Sequence, residues 1–346
     1  MIFSELRQDL VSGDWILIAP GRLRYQNHDH RLKREGKRER APLKQCPFEK
    51  PLESVSNKVI LNFVNHTATG LVRKTTKPDK NWRLLVLENK HPVVLNKNKI
   101  SRLKHHGPFS TMEGIGHADL IITRDHDRNF PKLSKRDALH VLEAMRDRYL
   151  TLLNEKNLAY ISIFHNWGPT AGASVYHPHY QMFAIPVLPP DIQHSLNGSA
   201  RYYKAHKTCV HCDMIRWEKR RKKRIIFEND EAVALAPFVS RNPFEVRVFP
   251  KRHRPYFENT FNEELAGVSE VLQKVLGLLE KKLGDPDYNF FIHTAPVRDK
   301  NRYSHYHWHI EIYPKLSKRA GFEFGTGIEV NIFDPDKVAK ILKSQK

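Results

Sequence analysis

Cysteine is scarce in this sequence: only Cys46, Cys209 and Cys212 occur among 346 residues. Three thiols cannot build the disulfide framework on which small secreted domains depend. Cys209 and Cys212 form a Cys-x-x-Cys pair, and in a chain without a secretory leader this spacing favours metal binding over a disulfide. The few cysteines therefore indicate a metal site rather than covalent cross-links.

Long apolar runs are also absent, although 40% of the residues are hydrophobic. A transmembrane helix needs about 20 consecutive apolar residues, so none is expected. The first twenty residues carry four charged side chains, which excludes the apolar segment of a signal peptide: Glu5, Arg7, Asp9 and Asp14. We therefore expect a soluble, cytoplasmic protein with no membrane partner. Its length suffices for one large domain or two ordinary ones.

Acidic residues are outnumbered, with 38 Asp and Glu against 58 Lys and Arg, which gives a formal net charge of +20. This charge attracts polyanions or phosphorylated substrates and does not distinguish between them. The basic side chains concentrate in residues 22–44 and 216–224. Most such runs are solvated loops, so nucleic acid is not the expected partner.

The chain contains an internal repeat. Residues 84–95 resemble residues 224–235, since each segment has an apolar strand, a Glu-Asn pair and a second apolar strand, which predicts a hairpin. Apolar residues at helical spacing follow in both copies, and they predict two amphipathic helices that face a core. Each helix is preceded by residues typical of a capping box: Ser134 with Asp137, and Thr260 with Glu263.

Each predicted helix leads into an aromatic strand and then into a His-x-His strand. The aromatic strands are residues 160–165 and 288–293, and the histidine motifs are 177–179 and 307–309. The repeat predicts an α+β fold built from a duplicated unit, with antiparallel sheets and packed helices. Turn-forming residues near position 195 are expected to divide the chain into domains 1–195 and 196–346.

The first histidine motif holds the candidate catalytic groups. In a strand, residues two apart share a face, so His177, His179 and Gln181 are predicted to point to one surface. A neutral imidazole can attack phosphorus or bind a metal, and an amide can donate to phosphate oxygens. Pro178 lacks an N–H, which favours a strand edge, a bulge or the mouth of a site. The preceding loop adds further donors, and these favour phosphate chemistry over a merely hydrogen-bonded polar strand: Asn166, Gly172 and Ser174.

The two copies differ two residues beyond the last histidine. Glu311 stands in the second copy where Gln181 stands in the first. Because a carboxylate repels phosphate, we expect only the first copy to be catalytic. The second copy would then shape the substrate pocket or a dimer.

Two sets of candidate metal ligands match across the repeat. The second copy offers two thiolates and two imidazoles, a tetrahedral zinc set: Cys209, Cys212, His253 and His307. The first copy offers the same set with one change: Cys46, Glu49, His126 and His177. A structural zinc is expected in the second copy, with a free thiol pair as the alternative. A carboxylate can also bind zinc, so the first set is either a second zinc site or a metal-free, hydrogen-bonded cluster.

Together these residues resemble the galactose-1-phosphate uridylyltransferase family, a branch of the histidine-triad superfamily. The resemblance spans most of the chain: residues 5–22, 46–48, 166–181 and 325–327, with Asn331. It implies that the duplicated unit is histidine-triad-like and that the protein is a homodimer. It further implies a nucleoside diphosphate sugar and a sugar 1-phosphate as substrates.

The resemblance also implies a two-step nucleotidyl transfer. His179 would attack the α-phosphorus of the nucleoside diphosphate sugar, and a phosphate-bearing acceptor would then take the nucleotide. Gln181 and Ser174 would hold the non-bridging oxygens, and Asn166 would orient the nucleotide. The other expected substrate contacts are Arg22, Glu88, Asn89, Gly172 and Glu329.

The expected activity is galactose-1-phosphate uridylyltransferase, with UMP as the transferred group. Two features are more similar to ADP-sugar phosphorylases, in which inorganic phosphate is the acceptor: the second-copy Cys-x-x-Cys and residues 325–327. The glutamine that follows the family's C-terminal glutamate is also missing after Glu329. ADP-sugar phosphorylase is therefore the alternative.

Two further classes are weighed against nucleotidyl transfer. Gln181 argues against a hydrolase, since hydrolases of the superfamily carry another histidine there. A zinc-stabilised nucleic-acid-binding protein is the alternative of a different class. It predicts steeply salt-dependent binding of polynucleotides and no covalent adduct.

Overall fold

The computed structural model describes residues 4–25, 38–53, 58–65, 72–97 and 99–344. Residues 26–37 of the first basic stretch lie outside these ranges. The strands of the first part are β1 (Glu5–Gln8), β2 (Trp15–Ile18), β3 (Val59–Asn65), β4 (Val72–Thr75), β5 (Trp82–Glu88), β6 (Lys104–His106), β7 (Phe109–Thr111), β8 (His117–Thr123), β9 (Tyr160–Trp167) and β10 (His179–Ile185). Those of the second part are β11 (Ile225–Glu228), β12 (Ala232–Leu235), β13 (Val246–Pro250), β14 (Tyr288–His293), β15 (His309–Pro314) and β16 (Val330–Asn331). The helices are α1 (Lys135–Leu152), α2 (Pro190–His206), α3 (Val210–Arg221), α4 (Asn262–Leu283), α5 (Gly321–Thr326) and α6 (Pro335–Lys343).

Eleven strands form one antiparallel sheet, in the order β11-β12-β13-β15-β14-β9-β10-β8-β5-β3-β4. β9 and β14 pair at its centre, where Phe164 lies opposite Phe291. On one side Phe164 pairs with Gln181, and on the other Phe291 pairs with Glu311. The two halves are therefore related by an approximate twofold axis. The predicted α+β duplication is confirmed, with both copies joined in a single sheet.

One face of this sheet carries the main core. Tyr180 and Phe290 from the sheet, Met145 and Tyr149 from α1, and Leu272 from α4 belong to one fully buried cluster. Burying each such side chain contributes about 1.5–3 kcal/mol. Because successive strand residues alternate faces, the neighbours of Tyr180 point the other way. The opposite face of β10 is thus left for His179 and Gln181.

The helix starts follow the predicted caps closely. Ser134 accepts a hydrogen bond from the N–H of Asp137, as expected for α1. At α4 the prediction was one residue early, because Glu264 rather than Glu263 accepts from the N–H of Phe261. The preceding 3₁₀ turn ends at Thr260, whose N–H donates to the carbonyl of Phe257 and which therefore does not cap the helix.

Of the two predicted hairpins, only the second is present. β11 and β12 pair as expected for residues 224–235. The hairpin over residues 84–95 was wrong, since β5 pairs with β3 and β8, and Leu95 makes a single bridge to Ile115. The sheet order shows the reason: β3 and β5 are the counterparts of β11 and β12, so the sequence repeat was aligned one strand out of step.

The basic run at residues 216–224 is largely helical, not a loop. It lies in α3, and its last member, Arg224, is buried against Glu218 and Asp336. Lys and Arg favour helices, and cations in a last turn complement the helix dipole. The predicted division at residue 195 falls inside α2, where Pro190 occupies the first turn. The division itself stays a prediction.

A small sheet of β1, β2 and β16 packs on the second half. Ile16 and Ile18 form a buried cluster with Val239, and Arg7 donates to the carbonyl of Phe238. This sheet fixes the turn between β1 and β2 over the second-half sheet. None of the helices in the described ranges is long and apolar enough to span a bilayer.

Candidate active site

His179 is the first residue of β10, and Pro178 precedes the strand. β10 is a central strand between β8 and β9. Because Pro178 lies outside the ladder, its missing N–H removes no strand hydrogen bond. Pro178 therefore lies at the entry to a central strand, not at a sheet edge.

The backbone fixes the tautomer of His179. Its Nδ1 lies 3.0 Å from the carbonyl oxygen of His177. Since a carbonyl can only accept, Nδ1 carries the proton and the lone pair of the neutral ring is on Nε2. The ring is 5% exposed and burial lowers the pKa of His179, which favours the neutral form. His179 thus has the protonation pattern of a nucleophile.

His165 supports His179 from the core side of the sheet. Its Nδ1 donates to the carbonyl oxygen of His179 over 2.7 Å, and its Nε2 lies 2.9 Å from Oδ1 of Asn129. Burial lowers the pKa of His165 to about 3. The ring is therefore a neutral anchor for the backbone of His179.

Gln181 shares the open face of β10 with His179. It is half-buried, with Leu120 and Phe164 as its cross-strand neighbours. Both neighbours are apolar, so neither competes for the Gln181 amide. Two N–H donors beside Nε2 suit the non-bridging oxygens of a phosphate.

A residue of the second half orients Asn166. Asn289 lies opposite Asn166 across the β9–β14 pair, and its Nδ2 donates to Oδ1 of Asn166 over 2.8 Å. The same Nδ2 lies 2.7 Å from the carbonyl oxygen of Ala171. With its oxygen engaged, Asn166 directs Nδ2 towards Gly172, where a Cβ would lie 3.6 Å away. Gly172 has a φ of +89°, a conformation that favours glycine.

The loop that contains Gly172 is held by acidic residues of the second half. Asp287 accepts hydrogen bonds from the N–H and Oγ1 of Thr170, at 2.8 and 2.6 Å. Arg38 pairs with Asp287 at 2.9 Å and stacks on Trp167 at 4.3 Å. These contacts hold the loop before His179 at both Thr170 and Trp167.

The structure brings together both predicted metal-ligand sets. In the second half, Sγ of Cys212 lies 3.4 Å from Nδ1 of His253 and 3.5 Å from Nδ1 of His307. The Nε2 atoms of these histidines donate to the carbonyls of Ser304 and Pro250. The proton is thereby fixed on Nε2, so both Nδ1 lone pairs face the thiols, as a metal site requires.

The first-half set has the same arrangement with one carboxylate. Oε1 of Glu49 lies 3.0 Å from Nδ1 of His126 and 3.3 Å from Nδ1 of His177. Nε2 of each histidine again meets a carbonyl, at Ala41 and Thr123. Thr123 ends β8 as Pro250 ends β13, so the twofold relation extends to the ligands' supports.

The thiols of the two sets differ electrostatically. A hydrogen bond with Cys212 lowers the pKa of Cys209, whereas the same bond raises the pKa of Cys212. Burial raises the pKa of the lone Cys46 thiol. Because the second-half set has a second thiol where the first-half set has Glu49, it fits a zinc ion better than the first-half set.

The remaining predicted substrate residues do not all meet His179. Ser174 is exposed on the loop beside the site. Glu88 and Met182 are both cross-strand neighbours of Asp119, so they share one face of the sheet. Met182 belongs to the buried core, and Glu88 therefore points away from the face of Gln181. Asn89 instead caps a turn by accepting from the N–H of His91.

Arg22 and Glu329 lie with the small sheet on the second half. Arg22 is exposed in a 3₁₀ turn after β2, and Glu329 pairs with Arg319 at 2.9 Å. The carbonyl of Glu329 accepts from the N–H of Leu17. No contact among the described residues joins either side chain to His179.

The second-half counterpart of His179 is blocked. His309 repeats the bond of His179, with Nδ1 3.1 Å from the carbonyl of His307. Its Nε2, however, lies 3.3 Å from Oε1 of Glu311, which also pairs with Arg247 at 3.0 Å. Burial opposes ionisation of Glu311, but Arg247 outweighs it and holds the pKa of this carboxyl well below its usual range. A fixed negative charge therefore occupies the place of the Gln181 amide.

Three supporting residues were missed by sequence reasoning: His165, Asp287 and Asn289. Asn289 carried a usable signal, because it lies two residues before Phe291 and so shares its strand face. His165 and Asp287 carried none, since their roles depend on contacts between distant segments.

Comparisons with known proteins agree with this geometry. Residues 65–189 match the family model described as galactose-1-phosphate uridyl transferase, N-terminal domain, and residues 133–345 match a domain of unknown function, DUF4921. An ADP-glucose phosphorylase of Arabidopsis thaliana is 30% identical over 98% of this chain and 92% of its own length. A galactose-1-phosphate uridylyltransferase of Thermotoga maritima is 29% identical over 76% of this chain and 84% of its own.

A solved structure gives the same picture. The crystal structure of the ADP-glucose phosphorylase from Arabidopsis thaliana with bound ADP-glucose superimposes with a TM-score of 0.79 at 27% identity. The superposition covers 99% of this chain and all of the other.

Proposed function

Because the chain belongs to the galactose-1-phosphate uridylyltransferase family, we propose that it is an ADP-sugar phosphorylase acting through a nucleotidyl-histidine. The sequence resemblance to this family is confirmed, and members of it are nucleotidyltransferases or phosphorylases. The nearly full-length match to an ADP-glucose phosphorylase supports the alternative expectation better than uridylyl transfer to a hexose 1-phosphate. ADP-glucose as donor and inorganic phosphate as acceptor are the first pair to test.

The observation that carries this proposal is the free lone pair on Nε2 of His179. In the first step Nε2 forms a bond to the α-phosphorus, and the bond from that phosphorus to the bridging oxygen breaks. Glucose 1-phosphate leaves, and AMP remains on the histidine. The ring then bears positive charge, which the hydrogen bond from Nδ1 to the carbonyl of His177 stabilises.

In the second step an oxygen of inorganic phosphate attacks the same phosphorus. The bond to Nε2 breaks, ADP leaves and the neutral histidine is restored. Division into two displacements replaces one difficult transfer with two easier ones. Gln181 and the Nδ2 of Asn166 would donate to the non-bridging oxygens in both steps, with Gly172 and Ser174 lining the same loop.

Zinc is proposed for the second-half set of Cys209, Cys212, His253 and His307, and more weakly for the set that contains Glu49. A bound zinc would supply a structural cross-link within each half. In the first half, the ligand His177 also provides the carbonyl that orients His179, so a metal there would stiffen the nucleophile's support.

A homodimer is proposed because two of the expected substrate contacts, Arg22 and Glu329, lie apart from His179 in one chain. Arg22 and Glu329 sit on the second half, while the catalytic face of the first half is only half-covered at Gln181 and Asn166. A second copy of the chain could bring its Arg22 and Glu329 to this face. The arrangement would complete a substrate site from two subunits.

The direct test is product formation from ADP-glucose and inorganic phosphate, with His179→Ala as the inactive variant and His309→Ala as its matched control. ADP and glucose 1-phosphate should form in equal amounts with the wild-type protein and the control. Hydrolysis to AMP, or no turnover with any nucleotide sugar, would reject the phosphorylase proposal.

The second candidate is UDP-glucose–hexose-1-phosphate uridylyltransferase, favoured by the match to the Thermotoga maritima relative. It differs in both donor and acceptor. Rapid turnover of UDP-glucose with galactose 1-phosphate, and none with phosphate, would establish it in place of the phosphorylase.

A further inference from the structure

A second groove lies on the outer side of the second half. It has a volume of about 900 Å³ and is lined by the β1–β2 turn, α2, α3 and the start of α6. None of its lining residues belongs to β8, β9 or β10, so it is separate from His179. Its volume is in the range of small-ligand sites, which is about 300–1,000 Å³. The groove also contains much of the basic run 216–224, for which the catalytic site has no use.

Aromatic side chains form an exposed surface in this groove. Trp217 is 54% exposed and Phe238 is 42% exposed, with Leu10 beside them. The Phe238 ring is held by guanidinium groups, from Arg7 at 4.2 Å and Arg224 at 5.0 Å. Exposed aromatic rings that line one groove indicate a surface to which another flat group binds.

The charges that remain unpaired in the groove are positive. Asp213 is paired with Arg216, and Arg224 pairs with both Glu218 and Asp336. The fourth lining carboxylate, Asp9, accepts from backbone N–H groups of its own turn. Arg220 and Arg221 have no acidic partner among the described residues. Two adjacent guanidinium groups suit the oxygens of a phosphate.

We propose that this groove is a second nucleotide site, which binds a nucleoside diphosphate. The base stacks on the exposed ring of Trp217, and the phosphates contact Arg220 and Arg221. Cations in the last turn of α3 would stabilise the helix dipole in any protein. That role does not explain the exposed tryptophan.

The test is the stoichiometry of ADP binding, measured by calorimetry. The wild-type protein should bind two ADP per chain, one at the His179 site and one in the groove. The groove variants Trp217→Ala and Arg220→Ala/Arg221→Ala should each weaken one of these sites about tenfold or more and leave the other unchanged. Arg136→Ala, which removes an exposed cation from α1, is the matched control and should retain both.

Turnover rates and the molecular mass in solution distinguish a nucleotide site from the other possible uses of this groove. The groove variants should keep the wild-type rate of nucleotidyl transfer. If the His179 site did not bind ADP, the wild-type protein would bind one ADP per chain, and the groove variants would weaken that single site. A single ADP site unaffected by the groove variants would overturn the proposal. Binding of a twelve-nucleotide single-stranded RNA without the second ADP site would assign the groove to nucleic acid instead. Dissociation of a dimer in the variants, seen by light scattering, would make it a subunit interface.

Discussion

A row of paired residues crosses the sheet from Gln181 through Phe164 and Phe291 to Glu311. Its two ends carry nearly the same side chains, but only the first-half end leaves its histidine open. His179 and His309 each donate from Nδ1 to a carbonyl two residues earlier, so both present Nε2 to the same face. Beside them stand Gln181 in one half and Glu311 in the other. The amide offers donors to a phosphate, whereas the carboxylate lies 3.3 Å from Nε2 of His309 and is held by Arg247. One side chain therefore separates a competent site from a closed one.

The metal clusters show the converse difference. The second half, which lacks the open nucleophile, has the more complete zinc set, with two thiols. The first half has one thiol and Glu49. Stability is thus expected to depend mainly on the second half and turnover on the first. This division of labour can be broken experimentally in four ways.

The largest effect is expected from exchanging the two discriminating residues. Gln181→Glu places the second-half carboxylate beside His179, removes two donors and adds repulsion of phosphate. We expect kcat to fall about 10²–10³-fold. Glu311→Gln, the reciprocal change, should leave kcat close to wild type in the same assay. Equal losses in both variants would show that the halves share the catalytic work.

Loss of metal should affect stability more than chemistry. Cys209→Ser removes the thiol with the lowered pKa, and we expect about one zinc per chain to be lost together with a fall in Tm of roughly 5 °C or more. Elemental analysis and calorimetry measure both quantities. Cys46→Ser, the matched change in the first half, should have a smaller effect on zinc content. Equal zinc loss would mean that both sets bind the metal alike.

The first-half set can be improved by copying the second. Glu49→Cys creates a Cys-x-x-Cys pair with Cys46, since the two positions already lie near His126 and His177. We expect zinc affinity at this set to rise about tenfold or more, as measured by competition with a chelator. Unchanged affinity would indicate that the backbone, not the ligand type, limits the site.

The smallest effect is expected from Asn289, the second-half residue that donates to Asn166. Asn289→Ala frees the oxygen of Asn166, so its amide is no longer directed towards Gly172. We expect kcat to fall about tenfold, with little change in Tm. Asn289→Asp removes the donor while keeping the volume, and it should behave like the alanine variant. Full activity in Asn289→Asp would exclude the proposed orienting role.

Much of this site was visible in the sequence because the repeat supplied a second copy for comparison. The spacing in residues 177–181 predicted the shared face of His179 and Gln181, and the matched Cys, His and Glu positions predicted both metal sets, which the structure assembles. These features could be predicted because they depend on neighbouring residues in the sequence: strand alternation, Cys-x-x-Cys spacing and an amide in place of a carboxylate.

Other features depend on pairing between distant segments, which local pattern does not encode. The first hairpin was misplaced because the chain leaves β5 on an excursion through β6 and β7 before it returns as β8. The contact of Asn289 with Asn166 requires the β9–β14 register, which joins the halves. Arg22 and Glu329 were predicted from the same family resemblance as His179 and Gln181. They nevertheless lie on the second half, apart from His179.

The central claim is that only His179 is a nucleophile, and the most direct test is intact mass after brief incubation with ADP-glucose without phosphate, quenched in alkali. We expect one adenylyl increment per chain, absent in His179→Ala and retained in His309→Ala. An increment that persists in His179→Ala, or no increment while the wild-type protein turns over ADP-glucose, would contradict it.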